Sequence, residues 1–434
     1  MTPMAPQRME GTMSTATSTP EGTGAAPNLP SSTLAATTGG RPAVGRALAT
    51  VLALLTVFGP ISMDLYLPVL PALTTELGAA TSTAQLTITA CLLGLAAGQL
   101  LAGPASDRFG RRRPLLIGVA AYVAVSLLCA VSPTVETLVA ARFVQGLAGG
   151  VGIVIAQAAG RDVYSGGALL RFYGRLTVLG GLAAIVGPLV GGQLAQVTDW
   201  RGIFLFLAVL GAVILAACLA VFGETLPTEQ RTTGGLAQTL TDMGQLLHDR
   251  VFLGAVLLTG FVNAALFAYL SGATYLLQDT YGLSPQGYSY AFGLNSAGFM
   301  VFGFLAGRTS ERWSVRGTLA VGVSMVAAGA AGLLATAALD LPLVAVIVSL
   351  LFLVSGVAVT TPPATSLALT GYPHIAGTAS SFLGMARFAF GGIAAPLVGL
   401  GTGVTPLALV TAAGAVLGAL AYLLTTAQPA PTHN

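Results

Sequence analysis

The sequence contains no lysine, only three cysteines and two tryptophans, and charged side chains of every kind make up 8% of its 434 residues. A soluble globular protein carries about 25% charge. This chain therefore cannot cover a water-facing surface, which excludes a soluble enzyme, a secreted disulfide scaffold and a disordered protein. Cys91, Cys129 and Cys218 lie in apolar runs without CxxC or metal-ligand spacing, and read as reduced structural residues. All eighteen cations are arginine, set against fifteen acids for a net charge of +3. They fall in small scattered clusters, whereas nucleic-acid binding needs a concentrated basic face. What is abundant is apolar residues (54%) and glycine (56 residues), the latter spread through the apolar runs. That pattern suits closely packed membrane helices. The composition is that of a polytopic membrane protein.

A bilayer core of roughly 30 Å takes about 20 mostly apolar residues per helix. Apolar runs predict six spans near Ala47–Leu70, Gln85–Ala105, Pro114–Val131, Thr137–Ala158, Leu176–Ala195 and Gly202–Phe222. Six more follow near Val251–Leu276, Tyr288–Ala306, Gly317–Leu339, Leu343–Ser366, Gly377–Leu400 and Thr405–Thr425. The expected organisation is a disordered tail (1–46), a six-helix bundle (47–222), a linker (223–250), a second six-helix bundle (251–426) and a short tail (427–434). Within the linker, Leu236–Leu247 reads as an amphipathic helix on the membrane surface. The Thr/Ser/Pro/Gly-rich start lacks the short apolar core and cleavage site of a signal peptide.

Arginine placement sets the orientation. With both termini inside, the tail and cytoplasmic loops collect Arg8, Arg41, Arg46, Arg108, Arg111, Arg112, Arg113, Arg161, Arg171, Arg175, Arg231, Arg250, Arg308, Arg312 and Arg316. Only Arg201 falls outside, while Arg142 and Arg387 lie within spans.

The halves also repeat. AGPASDRFGRRR at Ala102–Arg113 returns as AGRTSERWSVRG at Ala306–Gly317, with Asp107 matched by Glu311 and Phe109 by Trp313; PLVG at Pro188–Gly191 returns at Pro396–Gly399. Each copy holds the same place in its half. Parallel repeats of this kind place a binding site between the halves, near the membrane midplane.

These segments resemble a known family. Gly103–Arg113 (GPASDRFGRRR) is similar to the loop between helices two and three of the major facilitator superfamily. Arg142-Phe143-Val144-Gln145-Gly146 resembles the RxxQG motif of its drug:proton antiporters. Gly187-Pro188-Leu189-Val190-Gly191-Gly192 resembles their helix-five motif, with Gly174 in register and Ala183 in place of a further glycine. Met63–Pro68 with Pro71, and Ala376–Ser381, resemble the bicyclomycin/chloramphenicol resistance (Bcr/CflA) branch. The resemblance implies an all-α fold of two six-helix bundles, alternating access, a proton as the coupling ion with no other cofactor, and a monomer.

Asp64 is the leading functional residue. A mid-span charge costs about 2.5–3.5 kcal/mol on insertion scales and usually faces a cavity or a partner. Burial favours the protonated carboxyl, which suits a group that takes up and releases a proton; the alternative is an interfacial cap or pair. Arg142 is permanently charged, with Gln145 on the same helical face, and is read as tuning Asp64 or contacting substrate. Gly103, Asp107, Arg108, Gly110, Arg111 and Arg112, with Arg161 and Asp162 just beyond the fourth span, are read as a cytoplasmic gating network. Gly187, Pro188, Gly191 and Gly192 predict a bent, closely approached helix five. Asn263, Tyr269, Asn295 and Arg387 are candidate cavity residues, as are Gln85 and Tyr275. Arg387 either faces the cavity and disfavours cationic drugs or pairs with an acid. Trp200, Trp313 and Tyr281 read as interface anchors.

No phosphate-binding loop occurs and the linker is too short for an ATPase domain, so transport draws on a gradient. One charge crossing 100 mV is worth about 2.3 kcal/mol, enough for roughly a fifty-fold gradient of a neutral drug. The expected function is proton-coupled export of an amphipathic drug, chloramphenicol- or bicyclomycin-like, across a bacterial inner membrane. The alternative is export of the cell's own metabolite by the same fold. An integral-membrane enzyme would need clustered acids, histidines or a nucleophile near one interface, and the spacing offers none. The expected partners are the lipid bilayer and a small-molecule drug, with no nucleic acid.

Overall fold

The computed structural model describes residues 42–164, 166–231, 241, 244, 246–309, 314–370, 372 and 376–426. Among the described residues twelve long helices follow one another: α1 (Pro42–Asp64), α2 (Thr81–Phe109), α3 (Arg112–Ala130), α4 (Val135–Val163), α5 (Gly166–Leu194), α6 (Trp200–Val221), α7 (Arg250–Tyr275), α8 (Pro285–Thr309), α9 (Val315–Leu339), α10 (Leu343–Thr370), α11 (Ala376–Ala394) and α12 (Thr405–Thr426). Among the described residues there is no strand. Eleven of these helices are long and apolar enough to cross a membrane, and the described part of α5 contributes the apolar run Ile185–Leu194. Met1–Pro42 groups as a unit of its own, and all of it but Pro42 lies outside the described residues, as do the second tail and most of the surface helix expected at Leu236–Leu247. The helix begins at Pro42, so residues 42–46 are helical rather than part of a tail; proline is well suited to a first helical position.

Several helices overrun their apolar runs. α2 continues through Asp107 and Arg108, α4 through Arg161 and Asp162, and α5 starts at Gly166, which makes Arg171 and Arg175 helical rather than loop residues. Hydropathy reports only the stretch in hydrocarbon. A helix satisfies its own backbone and can continue into water beyond it.

α1 breaks at Asp64. After a turn at Leu65–Tyr66 the chain makes one tight turn (Leu67–Val69) and a short helix, Leu70–Glu76. Pro68 lacks the N–H that would bond the Asp64 carbonyl, and Pro71 lacks the one that would bond Leu67. Acceptors freed inside a membrane protein must find donors elsewhere. For Leu67 one comes from the other half of the chain: Thr274 Oγ1 donates to its carbonyl (2.7 Å), and beside it Gln278 Nε2 donates to that of Pro68 (3.0 Å).

Side-chain hydrogen bonds between the two halves gather at this same end. The hydroxyls of Thr74 and Tyr275 are 2.7 Å apart, Gln85 Nε2 donates to Ser271 O (3.3 Å), and Gln286 Nε2 donates to Gly192 O (3.1 Å). The halves meet where α2 packs on α11 and its continuation Ala395–Leu400, and where α5 packs on α8. Within the first half, GLAAG (94–98) of α2 lies on GLAGG (146–150) of α4. A Cβ on Gly146 would run into the Cys91 carbonyl, and one on Gly94 into that of Phe143. Small residues at this spacing let two membrane helices approach backbone to backbone.

Candidate functional site

Three groups of side chains carry the charges and polar atoms of interest. The first centres on Asp64. The carboxyl is 7% exposed, and among the described residues it makes no ion pair or hydrogen bond. Thus it is not an interfacial cap. The helix-five motif packs directly on it: Gly187 sits against the Asp64 Cβ, Gly191 against the Leu65 carbonyl, and Gly192 turns to Ser289 on α8. α5 runs through Pro188 as one helix. From the second half, Tyr269 and Tyr288 lie within electrostatic reach of the carboxyl. Asn295 Nδ2 donates to Tyr269 Oη (3.4 Å), and Tyr269 stacks on Phe292 at 5.6 Å. The Asn295 Oδ1 is buried without a donor. Tyr269 and Asn295 therefore join the Asp64 group, whereas Asn263 bonds within its own helix, to Thr259 O (2.8 Å).

The second group encloses Arg142, which is 0% exposed. Its guanidinium donates to Gln145 Oε1 and, over 3.2 Å, to Met63 Sδ. It lies over the rings of Tyr66 (4.9 Å) and Phe204 (5.5 Å), contacts that stabilise a desolvated cation. Gln145 Nε2 continues the chain to Ser126 Oγ (2.7 Å), and Tyr66 Oη pairs with Thr87 Oγ1 (2.9 Å). Arg142 thus holds helix one at Met63 and Tyr66, on either side of Asp64, without bonding Asp64 itself. It positions the break rather than forming an ion pair with the acid.

The third group lies at the opposite end of the helices. Arg111 is buried and donates to Asp107 Oδ1, Ser106 Oγ (2.7 Å) and Asp162 Oδ2 (3.0 Å). Burial works against its charge, but the two carboxylates more than offset this and hold the guanidinium above its ordinary value. Thr225 Oγ1 also donates to Asp162 (2.9 Å). Gly110 is left-handed (φ +84°), with the Glu224 carboxylate against its Cα; a side chain there would be strained and would clash. Among the described residues no bond ties Arg161 to this network, the Arg108 side chain rests over Phe109 (5.3 Å), and nothing crowds Gly103. Arg112 joins through its backbone. In the second copy of the motif residues 310–313, Glu311 and Trp313 among them, lie outside the described residues.

Sequence reasoning missed Glu224. Its carboxylate accepts the backbone N–H of Arg111 (2.7 Å) and Arg112 (3.4 Å), those of Thr225 and Leu226 (both 3.1 Å), and faces Arg231 (3.6 Å). Partial burial opposes its ionisation, yet these donors keep the carboxyl below its usual range. The available clue is that α3 opens on Arg-Arg-Arg-Pro with no side-chain cap, and orphan N–H groups require an acceptor from somewhere. Trp200 also departs from expectation. It is 1% exposed and donates to Glu76 Oε2 (2.9 Å), while Arg201 binds the other Glu76 oxygen (2.8 Å) and stacks over the indole at 4.0 Å. The Glu76 carboxylate draws the indole inward from the interface. Among the described residues no three of His, Cys, Asp or Glu gather into a metal site.

The profile of the Major Facilitator Superfamily matches residues 52–396. The chain is 37% identical over 379 residues to an uncharacterized MFS-type transporter, YdgK, of Bacillus subtilis (strain 168), covering 87% of this chain and 94% of that one. It is 32% identical over 355 residues to a chloramphenicol resistance protein of Pseudomonas aeruginosa, covering 80% and 82%. Its fold is similar to that of the xylose transporter XylE from Escherichia coli in a partially occluded inward-open conformation. That match has a TM-score of 0.70 and 16% identity, covering 90% of this chain and 99% of the other.

Proposed function

The chain belongs to the major facilitator superfamily, and we propose that it is a proton-coupled exporter of amphipathic drugs, with chloramphenicol- and bicyclomycin-like molecules as its cargo. The similarity to a chloramphenicol resistance protein supports this reading. The observation that carries it is Asp64: a buried carboxyl without an ion pair, at a helix break where the two halves meet. A mid-membrane acid left without a counter-ion can exist in two protonation states, which a coupling group requires.

The membrane is a bacterial inner membrane, with the arginine-rich ends and both termini in the cytoplasm and the monomer as the working unit. The half-to-half bonds then close the outer side. Asp64 releases its proton to the cytoplasm, cargo enters from that side, and the halves rock about the α2–α11 and α5–α8 contacts. Protonation from outside then favours cargo release. The carbonyls of Leu67 and Pro68, which anchor the outer closure, lie three and four residues from Asp64. A change at the carboxyl is transmitted to the closure through a single broken helix. The Asp107–Arg111–Asp162 network, with Glu224, steadies the cytoplasmic ends of α2, α3 and α4 during the motion.

The test is susceptibility of an efflux-deficient bacterial host expressing wild type or Asp64→Asn at matched membrane levels, against chloramphenicol, bicyclomycin, a tetracycline and a lipophilic cation. Wild type is expected to raise resistance at least four-fold to a phenicol or bicyclomycin, and Asp64→Asn to abolish it. Resistance that persists in Asp64→Asn would remove Asp64 as the coupling group. Resistance to none of the four would remove the drug-export reading.

A further inference from the structure

Arg387 lies in the middle of α11, and its side chain is only partly covered by the rest of the chain. Among the described residues its side chain has neither an ion pair nor a hydrogen bond, and its Nε is buried without an acceptor. Of the two expectations for this residue, pairing with an acid is not met. An arginine at this depth is costly unless its charge finds a partner. The guanidinium stays ionised, so neutralisation offers no escape.

Among the described residues its surroundings supply no acidic partner. Gly384 and Gly391, about one turn before and after Arg387 on the same face, let neighbouring helices pack close on either side of it. Gly384 meets the Gln99 amide of α2, and Gly391 the ring of Phe267 on α7. Phe267 and Phe388 lie 5.8 Å apart, and the guanidinium is 5.6 Å from Phe388. A planar fork of donors therefore stands at the junction of the two halves, beside an aromatic pair and an amide. That set matches a carboxylate on an aryl or similarly flat apolar body, with the fork bidentate on the carboxylate and the ring against the phenylalanines.

We propose that Arg387 is a cargo-binding residue for an acidic group, so that among ligands sharing one apolar body an organic anion binds best, its neutral counterpart more weakly and a lipophilic cation least. This deepens the export reading and rests on it for the direction of transport. An anionic cargo also suits that direction. With the cytoplasm negative, each exported negative charge gains about 2.3 kcal/mol per 100 mV, in addition to the proton gradient.

The test is equilibrium binding to the purified full chain in detergent, which needs no transport. Three probes share one ring: 1-naphthoate, 1-naphthamide and 1-naphthylmethylammonium. Wild type is expected to bind naphthoate at least ten-fold more tightly than naphthamide, and the ammonium most weakly. Arg387→Gln should bring the naphthoate-to-naphthamide ratio near one without lowering the melting temperature. Arg387→Lys should keep part of the preference, because charge is retained while the bidentate fork is lost. A wild-type ratio near one, absent naphthoate binding, or a ratio unchanged in Arg387→Gln would each overturn the proposal. Failure of the export reading shows separately, as a host protected from no drug while the naphthoate preference persists.

Discussion

Arg142 and Arg387 are both arginines within a membrane-spanning helix, one in each half, and their environments differ. Arg142 is sealed, with Gln145 and Met63 accepting from its terminal nitrogens and two aromatic rings on its faces, although its Nε, like that of Arg387, has no acceptor. Arg387 is only partly covered and among the described residues its side chain makes no hydrogen bond or ion pair. The difference lies in the neighbouring helices. α4 is clamped to α2 through paired glycines, which draws Arg142 into the packed interior of the first half. α11 presents Arg387 where it meets α2 of the other half and α7 of its own. One arginine is structural, holding helix one around Asp64. The other is held in readiness for something that arrives.

The strongest way to break this comparison is to truncate both side chains. Arg142→Ala leaves a cavity, removes two cation–ring contacts and orphans Gln145 Oε1, so a loss of about 3 kcal/mol is expected. Arg387→Ala removes a charge that no bond compensates and should leave stability within about 0.5 kcal/mol of wild type, or raise it. Unfolding of both variants in the same detergent decides the matter; equal losses would end the distinction.

A sharper version disturbs the first arginine without touching it. Gly146→Ala places a methyl group against the Cys91 backbone carbonyl, which cannot move as a side chain would. Separation of α2 and α4 is expected to cost about 1–3 kcal/mol and to impair transport while Arg142 is still present. Gly103→Ala is the control. A Cβ there meets nothing within 4 Å, so stability should be unchanged or slightly improved by helix propensity. Thermal unfolding and drug resistance measured together separate the two, and a tolerated Gly146→Ala would mean that the seam does not set the arginine.

Much of this contrast is legible in the sequence, for identifiable reasons. Hydropathy alone places the spans, because hydrocarbon demands apolar length. Arg142 and Gln145 stand three apart on one helix, so their pairing is local and readable. Apolar length carries helix one straight past Asp64 to Leu70, and nothing near it tells that Leu67 and Pro68 would be answered by Thr274 and Gln278, more than 200 residues away. Trp200 reads as an interface anchor because its inward partner, Glu76, lies on the far side of four helices in sequence. The gating loop is readable as a motif, yet its acceptor, Glu224, is 113 residues away. Local periodicity and solvent preference are written along the chain; partners supplied by distant turns are not.

Glu224 also permits the smallest and most specific prediction, at the end of the molecule away from both mid-span arginines. The donors around it lower its carboxyl from the ordinary value of 4.5. A group depressed on folding contributes stability that is complete above its unfolded value and is lost as pH falls through the folded one. Docking of the linker on α3 should therefore be intact at pH 7 and fade below about pH 4.5. Glu224→Gln keeps one acceptor oxygen but loses the charge that binds four backbone N–H groups and Arg231, so protection of the Arg111 and Arg112 amides should drop a few-fold at pH 7. Hydrogen exchange of wild type and variant at matched pH gives the readout. Their difference should shrink as acid protonates the wild-type carboxyl, whereas a gap that persists at pH 3 would assign the effect to shape rather than charge. Because neither arginine touches this loop, the relative stabilities of Arg142→Ala and Arg387→Ala should be the same with and without Glu224→Gln, as expected for independent distant sites.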